Sequence, residues 1–190
     1  VNKARGGDVG GSCSGSLLWL ARPDVDESGS REVMRVAYWR KLCHARVHLA
    51  FEDRPDLFPI DADWVTSRVD RIGRLEFAEA RAVLYEDQYL ALPADDRATY
   101  IEFAAVYLEL LAFHPDLLPH TFPAIRDHDA IREMLAIDVD SLELRAATRP
   151  PGAPDPLAVP VEELLDDSEA DSEADSTAEP SKKDEARWKR

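Results

Sequence analysis

Arg40, His44, His48 and Glu52 stand at strict four-residue intervals inside a stretch that is otherwise mostly apolar. On an α-helix such residues share one side, each a turn above the last. Two imidazoles so placed can chelate one ion, with Glu52 a turn further on as an oxygen ligand. Glu102 and Glu109, seven positions apart in a second apolar stretch, offer carboxylates from a facing helix, although along one helix they are too distant to serve one ion together. The seam of Arg40, His44, His48, Glu102 and Glu109 therefore has two readings. Either its members pair with one another, as buried polar groups nearly always do, or they hold a divalent metal. Internal pairing is the simpler expectation, because the carboxylate-bridged pattern of Glu-x-x-His on two helices is absent, and so is His-Glu-x-x-His.

Other candidates carry less pattern. Cys13, in Gly11-Ser12-Cys13-Ser14-Gly15, has the outline of a nucleophile elbow, but that turn needs a strand before it and a helix after it. Its flanks here are rich in Gly and Ser, so a flexible linker with an exposed thiol is the expectation. The same segment lacks the Gly-Lys-Ser/Thr ending of a phosphate loop. His114 and His120 lie in a proline-rich turn, where they can line a loop pocket; more simply, His114 closes the preceding helix at its negative end. Trp39, Trp64, Phe77, Tyr100, Phe103 and Tyr107 fall in helical stripes and read as core. No catalytic set and no cofactor motif emerges.

The elements that must position these residues are helices. Ser30 offers an N-cap oxygen, with Glu32 in the first turn, and the helix it starts runs to about Glu52, ahead of Arg54-Pro55. Its apolar residues lie on two nearly opposite faces, so it should sit in the middle of a bundle. Asp61 caps a second helix with the stripe Ala62, Val65, Val69 and Ile72; Gly73 breaks it before a third with Leu75, Ala78, Ala82, Tyr85 and Tyr89. A fourth, from about Asp95 to Phe113, is apolar round most of its circumference, with Asp95, Glu102 and Glu109 on one narrow polar strip. Pro115 to Pro123 should form a turn-rich connection, followed by short helices from Asp127 to about Ala136 and from Ser141 to Ala147. The fold class expected is all-α, a compact irregular bundle of about five or six helices with a disordered acidic C-terminal tail.

Composition divides the chain into a Gly/Ser-rich lead over 1–16, a helical domain over 17–147 opening with the apolar peg Leu17 to Ala21, and an acidic linker or tail over 148–190 that turns basic at its end. The net charge is -15, yet residues 151–180 hold ten acidic and no basic residues, so the rest is only mildly acidic. Nothing in it resembles a basic stripe for nucleic acid. No apolar run approaches the length of a membrane span, and two cysteines in unlike settings do not form a disulfide framework. A cytoplasmic location follows as the default, and the Ala, Arg and Asp richness hints at a bacterial source. The function expected is a non-enzymatic interaction or scaffold module with a protein partner, part of a larger protein or assembly. The alternative is a metal- or small-ligand-binding helical enzyme or sensor that uses the Arg40/His44/His48 seam.

Overall fold

Helix caps set the frame of the molecule. The computed structural model describes residues 3–4, 17–18, 30–53 and 60–158. Cys13, Trp19 to Ala21, the rest of the lead, the loop 54–59 and the acidic tail beyond 158 lie outside the described residues. Seven α-helices are described: α1 (Arg31–Glu52), α2 (Ala62–Ile72), α3 (Arg74–Glu86), α4 (Asp96–Phe113), α5 (Leu118–Thr121), α6 (His128–Asp138) and α7 (Ser141–Thr148). Ser30, Asp61, Asp95, Asp127 and Asp140 each accept a hydrogen bond from a backbone N–H three residues on, so five of the seven helices begin on a side-chain cap. Gly73 ends α2 and starts α3 at φ +102°, a conformation that L side chains rarely adopt. Lys3–Ala4 pairs antiparallel with Leu17–Leu18, in a ladder two residues long.

Helices α1 and α4 form the centre. Along α4, Phe103 to Leu110 are all buried, and along α1 Val33, Val36, Ala37, Trp39, Cys43, Val47 and Phe51 are buried with them. α1 packs on α4 along one side and on α7 along another, as its two apolar faces require. Aromatic rings tie the layers together. Trp39 meets Phe113 edge-on at 5.3 Å, Trp64 meets Tyr100 at 5.3 Å, and Phe103 meets Phe122 at 5.2 Å, arrangements that suit the ring quadrupole. Trp39 also donates its indole N–H to the Arg145 carbonyl (3.1 Å), and the Arg145 and Arg149 guanidinium groups lie over its ring.

Three details differ from expectation. α3 buries Phe77, Ala80 and Leu84, while Leu75 and Tyr85 face solvent; both stripes have helical spacing, and only the former turns toward α4. The segment Pro115 to Thr121 is a 3₁₀ turn leading into α5, with proline in the first turn of each, where its missing N–H is no loss. The packed chain also continues past 147. Arg149 donates to the Ala153 carbonyl (2.7 Å), Arg35 to the Gly152 carbonyl (3.4 Å), and Ala153 and Pro156 are buried. Small apolar residues and satisfied carbonyls anchor a stretch whose composition reads as linker.

Candidate functional site

The seam closes where α1 crosses α4 antiparallel. Glu109 lies opposite Arg40 and His44, and Glu102, two turns earlier on α4, lies opposite His44 and His48. Arg40 Nε is 3.2 Å from Glu109 Oε1, and His44 Nδ1 is 2.8 Å from Glu109 Oε2. The other ring nitrogen of His44, Nε2, is 3.2 Å from Glu102 Oε1; His48 Nε2 is 3.2 Å from Glu102 Oε2; and the two Nε2 atoms are 3.2 Å apart. All five side chains expected in the seam thus meet, in the order Arg40, Glu109, His44, Glu102, His48.

Burial and charge decide the protonation. Burial works against a charged His44, but hydrogen bonds to Glu102 and Glu109, and their charges, outweigh it and raise the imidazole from 6.5 to about 9. Burial likewise opposes an ionised Glu102, and the hydrogen bonds from His44 and His48 overcome it, holding the carboxyl at about 2. At neutral pH His44 is a cation with a carboxylate on each ring nitrogen. Tyr89 stacks on its ring at 6.3 Å, and burial together with the Glu109 charge pushes that phenol up to about 12, so it stays protonated.

His44, His48 and Glu102 offer ligand atoms that all lie within 4.8 Å of one another. Glu52, the expected third ligand, is exposed and is not among them. It stands a further turn along α1, whereas Glu102 enters from the facing helix between the two rings. Glu109 occupies the remaining nitrogen of His44, so the two glutamates need not reach one ion to serve one site.

The loop histidines separate. His114 is buried, and its Nε2 has no hydrogen-bond partner among the described residues. Burial, with the nearby Arg40 charge, lowers its pKa below 6.5, so it follows α4 as a neutral ring rather than as a cation at a negative helix end. His120 is exposed.

Two features had no place in the sequence reading. A groove of about 130 Å³ opens between α1, α4 and α7, lined by Val47, Leu108, Leu111, Leu142, Leu144 and Arg145 among others. Asp138, at the end of α6, takes a bidentate pair from Arg68 (2.8 and 2.6 Å) and the Tyr100 hydroxyl (2.6 Å). The sequence does hold a signal for Asp138, which continues the buried stripe Ile131, Met134, Leu135 at helical spacing.

No helix among the described residues is long and apolar enough to cross a membrane. Compared with protein-family models, curated proteins and solved structures, the chain matches none.

Proposed function

We propose that the seam is a transition-metal centre of the zinc class, with His44 Nε2, His48 Nε2 and the Glu102 carboxylate as ligands. One observation carries this reading. The three contacts among those groups are each 3.2 Å, and tetrahedral ligands at zinc bond lengths are separated by about 3.3 Å. Glu102 meets each ring with a different oxygen, so a turn about its last torsion brings one oxygen to the ion. Two imidazoles and one carboxylate suit zinc and its neighbours better than magnesium or calcium, which prefer oxygen. The second layer has the form metal-binding histidines use: Nδ1 of His44 faces a carboxylate, which fixes the tautomer that leaves Nε2 free. Without an ion, the proton on His44 Nε2 takes the ion's place between the same partners.

The test is a zinc competition titration of the untagged chain against a chromogenic chelator. One ion per chain is expected, lost in His48→Ala and in Glu102→Ala. No stoichiometric ion in the parent protein ends the proposal.

A second reading, an interaction or scaffold module, draws on the groove between α1, α4 and α7 and on Leu142 in its lining, 78% exposed. An apolar side chain from a protein partner suits such a groove, with an acidic neighbour for Arg145. Leu111→Trp should fill it and weaken partner binding while His48→Ala leaves binding intact; binding indifferent to Leu111→Trp counts against this reading.

A further inference from the structure

We infer that the metal centre keeps its fourth coordination position open and that the ligand class it takes there is a small anion. The inference rests on the His44/His48/Glu102 assignment and goes beyond it by naming what the ion binds.

Among the described residues three side chains converge on one point. The next acid, Glu109, is held away from that point because one oxygen serves His44 Nδ1 and the other Arg40. The Tyr89 ring stacks with that of His44 at 6.3 Å between centroids. Three protein ligands around a tetrahedral ion leave one position for water or an external donor, which separates exchangeable centres from closed structural ones.

The side chains of His44, His48 and Glu102 keep 16%, 20% and 12% of their surface, so each of the three residues retains some contact with solvent.

With both rings neutral in the metal-bound form, a divalent ion and Arg40 contribute three positive charges, and Glu102 and Glu109 two negative ones. Those groups together sum to one positive charge, on side chains of which no more than 20% is exposed. An anionic fourth ligand cancels it, whereas a neutral ligand leaves it in place.

The experiment uses the full chain loaded with Co²⁺, whose visible spectrum reports its ligands, titrated with azide and, separately, with acetate. A saturable change in the visible bands with either anion, at one site per chain, is expected. In Arg40→Met, which removes one positive charge, the azide dissociation constant should rise about fivefold; Arg40→Lys, which keeps the charge, should stay within about twofold of the parent and guards against a variant that fails to fold. Co²⁺ bound with a spectrum indifferent to both anions overturns the open position and leaves the metal assignment standing. An anion response unchanged in a folded Arg40→Met overturns the charge argument. Failure to take up Co²⁺ at all removes the metal assignment and this inference with it.

Discussion

In metal-free protein, stability should fall as pH rises from 6.5 to 9. His44 binds its proton more tightly folded, at about 9, than in the unfolded chain, at 6.5. A raised folded value means that its contribution is fully present below pH 6.5 and is lost as pH climbs through 9. The displacement between those two values caps the effect at about 3 kcal/mol. Because the seam still touches water, we expect about 2 kcal/mol. Urea unfolding in the presence of a chelator, at steps between pH 6 and 9.5, measures it directly. His44→Gln can still accept or donate one hydrogen bond in the seam but cannot titrate, so its stability should be flat over the same interval. On the acid side the sign reverses. Glu102, held at about 2 against an ordinary 4.5, contributes above pH 4.5 and is lost as pH falls toward 2. Since both shifts describe largely one interaction, their energies do not add. Parallel curves for the parent and His44→Gln between pH 6.5 and 9 would refute the assignment of a buried imidazolium.

Asp138→Ala should cost about 2–3 kcal/mol, because it removes a fully buried carboxylate and leaves the buried Tyr100 hydroxyl without that acceptor, while the Arg68 guanidinium, on a side chain 16% exposed, can turn toward water; thermal melting would register this as a loss on the order of 10 °C, and a loss of a degree or two would show the pair to be replaceable. Cys43, buried and pushed up to about 11 by burial and then by the Glu109 charge, should react with iodoacetamide at pH 8 about 100-fold more slowly in the folded than in the unfolded chain. Peptide mass spectrometry separates it from Cys13, and equal rates would place the thiol at the surface.

Much of the fold is legible in the chain. The caps Ser30, Asp61, Asp95 and Asp127 fall where a hydrogen-bonding side chain precedes an apolar run, and local chemistry of that kind does not depend on tertiary neighbours. The two-sided burial of α1 likewise follows from its apolar positions. α3 marks the limit, since Leu75 with Ala78 and Phe77 with Ala80 are equally periodic, and only the packing against α4 chooses between them. The site was half legible for the same reason. Periodicity along α1 brings His44 and His48 together, but whether Glu52 or Glu102 joins them depends on the direction and register of α4, which no local pattern encodes. Antiparallel crossing places Glu102 between the rings and Glu109 beyond them. The groove is invisible to sequence altogether, being a gap left where α7 meets α1 and α4.

Crystals of the full chain grown with zinc, measured on both sides of the zinc absorption edge, test the metal centre most directly. The expected result is one anomalous peak within about 2.0–2.2 Å of His44 Nε2, His48 Nε2 and a Glu102 oxygen, with His44 Nδ1 still on Glu109. A peak at other residues, or an unaltered seam with no peak, would contradict it.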